Sequence, residues 1–95
     1  MREKQIEQKL IKAVKSSGGL ALKLVSPGFD GIPDRMVLMP KGRIAFVEVK
    51  APGKKPRQLQ LSRHKLLRRM GFKVYVIDRA EQIGKIIKEI GGDAE

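Results

Sequence analysis

Two runs rich in β-branched and aromatic residues, Arg43 to Lys50 and Phe72 to Ile77, bracket one helical pattern, and this arrangement restricts the fold more than any other feature of the chain. Strands joined through a helix lie parallel in one sheet, with a right-handed crossover. The helix then covers a face of that sheet, so the chain is read as a mixed α/β protein. The remaining segments extend the unit. Ile6, Leu10, Ala13 and Val14 recur at helical spacing, predicting a helix from about Arg2 to Ser17 that ends at Gly18-Gly19. Leu20 to Val25 and Asp34 to Met39 read as strands on either side of a turn-rich loop, Ser26 to Pro33. Pro40-Lys41-Gly42 is short enough to make the next strand antiparallel in a hairpin. A basic loop, Ala51 to Pro56, leads to a helix from about Arg57 to Met70, with Leu59, Leu66, Leu67 and Met70 as its apolar stripe and Gly71 as its stop. A last helix, Ala80 to Ile90, turns Ile83, Ile86, Ile87 and Ile90 inward, and Gly91 to Glu95 is a polar tail. The expected order is α-β-β-β-α-β-α, one domain over residues 1–95.

Charge narrows the partners. Lys and Arg number 21 against 10 Asp and Glu, a formal net charge of +11, which attracts polyanions at long range and points to nucleic acid. An anionic membrane is disfavoured because no helix sets a large exposed apolar face against a basic one. No apolar run approaches the roughly 18 residues of a membrane span. The start Met1-Arg2-Glu3-Lys4-Gln5 reads as a polar helix start and not a signal peptide, so a cytoplasmic location is expected. With no cysteine and a single histidine, neither a disulfide nor a zinc site is expected. No Walker loop is present, and no small-molecule cofactor is expected.

The run Ile44-Ala45-Phe46-Val47-Glu48-Val49-Lys50 puts Ile44, Phe46, Glu48 and Lys50 on one face. Two charges thus end a strand that is otherwise apolar, and a buried charge needs a partner or a metal. Glu-x-Lys alone is also what a solvated strand end would show. Asp34 follows Pro33 and opens the second strand, and the hairpin brings it toward the far end of the third. Alone it would pass for a turn residue. Together, two carboxylates and a lysine suit phosphodiester hydrolysis, with Asp34 and Glu48 as Mg2+ ligands, the Val49 carbonyl completing the protein ligands, and Lys50 acting on the attacking water or the developing charge. Glu7 adds a third carboxylate. With Ile6 at zero and about 100° per residue, Leu10 falls near 40°, Val14 near 80°, Glu7 near 100° and Ile11 near 140°, so Glu7 sits within the apolar stripe. A metal site or a basic residue beneath the helix would satisfy it. Glu3 shares its angle, but a carboxylate in the first turn is already favoured by the helix dipole.

These residues have a recognisable pattern. Gly31-Ile32-Pro33-Asp34 followed by Glu48-Val49-Lys50 resembles the PD-(D/E)XK nuclease signature, and the α-β-β-β-α-β order, here with an extra C-terminal helix, resembles that superfamily's restriction-endonuclease-like core. Gly-x-Pro-Asp, Glu-Val-Lys, and Gln60 ahead of Leu67 and Gly71 are similar to the marks of a stand-alone VRR-NUC domain, the virus-type replication-repair nuclease. The resemblance runs from about Glu7 to Ile77. It implies Mg2+-dependent DNA cleavage, with Mn2+ as a substitute, Asp34 and Glu48 as ligands, and Lys50 catalytic. It also implies a helical acid, here Glu7, and a glutamine, Gln60, behind the ligands or facing DNA. Gln58 is the alternative glutamine. Stand-alone phage and bacterial members resemble Holliday-junction resolvases acting as homodimers, and a two-fold junction needing two nicks suits paired subunits. The sequence does not give the contact between them, for which the apolar surface around the first or the last helix is a candidate. Lys54, Lys55, Arg57, Arg63, Lys65, Arg68 and Arg69 are candidate phosphate contacts. His64 is expected on the helix surface, since metal-bound water needs no histidine base.

Two other readings compete. A basic architectural protein explains the charge, but not the meeting of Asp34, Glu48 and Lys50. Its DNA affinity would fall with salt and ignore magnesium. A less selective nickase shares the site and differs in substrate. RNA recognition by stacking is disfavoured by an aromatic content of 4%.

Overall fold

A computed structural model describes residues 1–91. The chain runs α1 (Glu3–Ser16), β1 (Leu20–Lys23), β2 (Arg35–Met39), β3 (Arg43–Val49), α2 (Gln58–Arg69), β4 (Lys73–Ile77) and α3 (Ile83–Gly91). Short 3-10 turns, Pro40–Gly42 and Ala80–Gln82, precede β3 and α3. This is the expected mixed α/β order, with β1 two residues shorter than its sequence pattern suggests. The expected polar tail lies outside the described residues beyond position 91.

The sheet order is β1-β2-β3-β4. The β1-β2 and β2-β3 pairs are antiparallel, and β3-β4 is parallel through α2, as the crossover requires. Cross-strand partners share a face. Val37, Ala45, Val47, Val49 and Ile77 point to one side and are buried under Ile6, Leu10 and Val14 of α1 and Ile83, Ile86 and Ile90 of α3. The apolar faces of both helices thus pack into the core. The turn between α1 and β1 lies hard against β2. A Cβ on Gly19 would fall 2.4 Å from the Leu38 carbonyl oxygen and 2.5 Å from the Met39 sulfur, so only glycine fits there.

The opposite face carries Leu20, Leu22, Met36, Leu38, Ile44, Phe46 and Val74, and it continues into Glu48. Helix α2 lies on this side, and its buried residues are Gln60 and His64. The expected apolar stripe is split: Leu66 and Leu67 are half-buried, whereas Leu59 and Met70 are exposed. The reason is what α2 covers. Opposite it stands Glu48, so the inward positions hold groups able to meet a carboxylate rather than aliphatic ones.

Candidate active site

The site forms where β2 and β3 part. Backbone pairing between them begins at Arg35 and Val47, so the Val49 N–H lies beyond the last β2 partner. It donates instead to Asp34 Oδ2 at 2.8 Å. This fixes Asp34 at the end of β3, leaves its Oδ1 outside that bond, and realises the expected convergence of Asp34 with Glu48 and Lys50.

Glu48 is 1% exposed. Its Oε2 accepts from the Gln60 Nε2 at 2.8 Å and lies 3.2 Å from Lys50 Nζ. Gln60 is held in turn by its Oε1, which accepts the Arg57 N–H at 2.8 Å. That bond starts α2, so one side chain ties the helix to the carboxylate. Gln60, not the exposed Gln58, is the glutamine that reaches Glu48. Burial pushes the Glu48 carboxyl upward from the usual carboxylate range, and the neighbouring Asp34 charge adds to the rise. The hydrogen bond and charge of Lys50 oppose it.

Its other oxygen, Oε1, is buried with no hydrogen-bond partner. His64 Nε2 lies 3.9 Å from it. His64 is fully buried, which corrects its expected surface position, and neither ring nitrogen has a hydrogen-bond partner. Burial, with the Arg68 and Lys50 charges behind it, pushes the imidazole pKa down and keeps it neutral. The pair is therefore a neutral ring against a carboxylate and not an ion pair. His64 stands one turn after Gln60 on the same face of α2, the one signal in the sequence that linked it to the site.

Glu7 has a basic residue beneath the helix, the second of its two expected partners. Arg35 Nε donates to Glu7 Oε2 at 2.8 Å, and Arg35 Nη1 donates to the Ala21 carbonyl at 3.1 Å. The metal-facing Glu7 is thereby corrected: Arg35 lies on the α1 side of the sheet and takes its carboxylate. The α1 carboxylate whose charge reaches Glu48 is Glu3, set aside in the sequence for its place in the first turn.

Among the described residues, no three His, Cys, Asp or Glu side chains gather as a metal cage. Mg2+ needs none, because it keeps several waters and takes one or two carboxylates from the protein. The buried, unpartnered Glu48 Oε1 and the hard oxygens of Asp34 fit such an ion. A cation there would also offset the mutual repulsion that raises Glu48.

The loop before β2 is built onto α2. Gly31 has φ +87°, and a Cβ on it would lie 2.8 Å from Leu59 Cγ. Arg63 Nε donates to the Asp30 carbonyl at 2.8 Å, and its guanidinium lies 3.9 Å from the Phe29 ring centre. Arg68 Nη2 donates to the Val74 carbonyl at 2.7 Å. Of the candidate phosphate contacts, Arg63 and Arg68 thus have internal partners, whereas Lys54, Lys55, Arg57, Lys65 and Arg69 are exposed side chains.

The chain is a nuclease domain and belongs to the VRR-NUC family, as two similarities show. It is 50% identical over 78 residues to "Putative nuclease p44" of Acyrthosiphon pisum secondary endosymbiont phage 1, a match covering 82% of this chain and 84% of that protein. A solved structure described as a VRR_NUC domain superposes with a TM-score of 0.85 at 34% identity, covering 90% of this chain and 94% of the other. No protein-family model matches the chain. No helix among the described residues is long and apolar enough to cross a membrane.

Proposed function

We propose that this chain is a Mg2+-dependent endonuclease of the PD-(D/E)XK kind that nicks branched DNA, four-way junctions in particular, as a pair of subunits. The observation that carries this is the meeting of Asp34, Glu48 and Lys50 at one end of the sheet, with Glu48 Oε1 buried and unpartnered. Asp34 and Glu48 would hold the ion, with the Val49 carbonyl as a third protein ligand. When bound, the ion supplies a water acidic enough to attack near neutral pH and a counter-charge for the phosphoryl oxygens. Mn2+, with similar oxygen preference, should substitute.

The chain's own residues do the rest. Gln60 holds the Glu48 carboxylate in one orientation through Oε2, leaving Oε1 for the ligand role. The Val49 N–H holds Asp34 in the same way. Lys50, 16% exposed and next to Glu48, reaches both the buried site and its mouth. From there it can orient the attacking water or meet the negative charge that grows on the phosphate. Lys54, Lys55 and Arg57 follow directly in the chain and would take flanking phosphates, fixing position without reading sequence. Two carboxylates and a lysine give one cutting site per chain. A junction with two-fold symmetry then calls for two chains.

The test is a gel assay with a labelled four-way junction and a matched linear duplex, each with Mg2+, Mn2+ or chelator. Paired symmetric nicks in the junction alone, lost with chelator, are expected. Metal-dependent cutting of both substrates would keep the site and remove the junction preference. Binding without cutting in any metal would turn the reading to an architectural DNA-binding protein, which the net charge of +11 also favours.

A further inference from the structure

The loop that delivers Asp34 also holds an aromatic ring at the surface. Its base is closed by the Leu24 N–H, which donates to the Asp34 carbonyl at 3.0 Å. Within it the Phe29 N–H donates to the Ser26 carbonyl at 3.1 Å, with Pro27 and Gly28 between them. Gly28 has φ +83°, so Ser26 to Phe29 match a type II turn, which takes proline at its second position and a positive φ at its third. Phe29 is thereby fixed at its backbone. It is also held at its ring, where the Arg63 guanidinium lies 3.9 Å from the centre. Arg63 is tethered in turn to the Asp30 carbonyl, and Leu59, one turn earlier on α2, lies against Gly31. A side chain braced in this way is usually a buried one. Phe29 is instead 41% exposed, and Val25 and Pro27 beside it are exposed as well.

From these contacts we infer that Phe29 is a wedge that stacks on a base at the branch point of the DNA, and so selects branched substrates. The inference rests on the junction reading above and names the residue that senses the branch. Composition selects a base over a phosphate. No lysine or arginine occurs from Leu24 to Asp34, in a chain that carries 21 of them, and Asp30 is the loop's one exposed charge. A phosphate backbone gains nothing there, whereas an unstacked base gains a π-face. Position selects DNA over a protein partner. The loop ends in Asp34, and Arg63 follows Gln60 by three residues, about 4.5 Å along the α2 axis at 1.5 Å per residue. A strand brought to the carboxylates therefore passes beside this ring. Energy selects a branch over a continuous duplex. Driving an apolar side chain between paired bases costs the stacking of that step, but at a branch the step is already open. The ring thus stacks where the helix is interrupted and is refused where it is continuous. One ring serves one step, so a chain poor in aromatics loses nothing by this device.

The experiment uses the whole chain in calcium, so that DNA is bound and left uncut. The chain has no tryptophan, so Phe29→Trp adds a single fluorophore that reports its own surroundings. Its emission should be quenched by a saturating four-way junction and much less by a saturating linear duplex of matched sequence, with saturation read from the anisotropy of labelled DNA. Phe29→Ala should lose about 10-fold in affinity for the junction, of the order of one stacked base, and nothing for the duplex. Phe29→Trp should keep the wild-type affinity for both. If Phe29→Ala loosens the loop, Phe29→Leu fills the space over Arg63 without a π-face and should show the same selective loss. Unquenched emission on a saturated junction, equal quenching by both DNAs, or alanine and leucine variants that keep the wild-type preference for the junction would each overturn the inference. No cleavage is read in these measurements. A chain that senses junctions but never cuts them would end the nuclease reading alone, and one that cuts junctions as selectively without Phe29 would end this inference alone.

Discussion

Glu48 concentrates the conflict between folding and chemistry in one side chain. It is buried, its carboxyl is pushed upward by burial and by Asp34, and one of its oxygens has no hydrogen-bond partner. Because its folded pKa is raised, folding disfavours the charged form relative to the unfolded chain. The stability this gives the metal-free chain is fully present below the ordinary carboxylate value and is lost as pH rises from there through the raised one. Glu48→Gln should therefore be inactive, with cleavage reduced by more than about 100-fold, yet more stable than wild type at neutral pH. A gain of the order of 1 kcal/mol would appear as about 4–8 °C in a domain of this size. The Gln amide can still accept from Gln60, and its N–H2 would face His64 Nε2, an acceptor in the other tautomer. Thermal melts in chelator should show the gain at pH 7 and its disappearance at pH 3, where Glu48 is protonated in both states. A variant less stable than wild type at pH 7 would show that Glu48 is held as a satisfied ion and not as a strained one. Gln60 and His64 act on the same carboxylate from its two sides. Gln60→Ala should lower cleavage and Mn2+ affinity together by about 10–100-fold, the usual cost of losing an outer partner of a metal ligand. His64→Leu should do so more mildly, with partial recovery in His64→Gln, which returns a donor near the Nε2 position. Equal behaviour of the Leu and Gln variants would make His64 packing alone.

Helix α2 and the loop before β2 are one mechanical unit. Arg63 joins them through the Asp30 carbonyl and the Phe29 ring, and the same loop delivers Asp34. Arg63→Ala should cost about 2 kcal/mol, because the charge-assisted hydrogen bond and the cation–π pairing both go. Protease nicking should rise within residues 26–33, and cleavage should fall even at saturating DNA. A purely phosphate-binding Arg63 would instead weaken DNA affinity and leave the melt and the nicking pattern unchanged. This unit also marks where the sequence stops being legible. Element order, hairpin, crossover and the meeting of Asp34, Glu48 and Lys50 follow from alternation and turn residues, because apolar periodicity reports what is buried against apolar neighbours. On α2 the rule inverts. Leu59 and Met70 look inward by pattern, yet Gln60 and His64 are the buried ones, because the surface beneath them is a carboxylate. Glu7 shows the complementary limit. Its angle on the helix revealed that a partner lay below, but whether that was a metal or Arg35 depended on the register of β2, which one sequence does not print.

For the whole molecule, the distribution of charge decides how DNA is met. The acids that matter are gathered at one end of the sheet, and the basic loop 51–57 runs from Lys50 at that site to the start of α2. There Lys54, Lys55 and Arg57 are exposed, and no ion pair involves them among the described residues. Lys54 and Lys55 are thus free to displace counterions from phosphates adjacent to the cut. The +11 charge alone would give affinity anywhere on a duplex; under the proposed function, placement of the loop would add affinity at the site. Exchanging Lys54 and Lys55 together for alanine should weaken binding and reduce the slope of log affinity against log salt by about 2, one counterion for each phosphate no longer neutralised. The stability of the fold should not change, because neither side chain packs on the core. Titration of labelled DNA at several salt concentrations in calcium, to hold the complex uncut, reads both quantities. An unchanged slope with weakened cleavage would move these lysines from DNA binding to a role in ordering the loop beside Lys50, and an unchanged slope with unchanged cleavage would place the DNA on another face of the molecule.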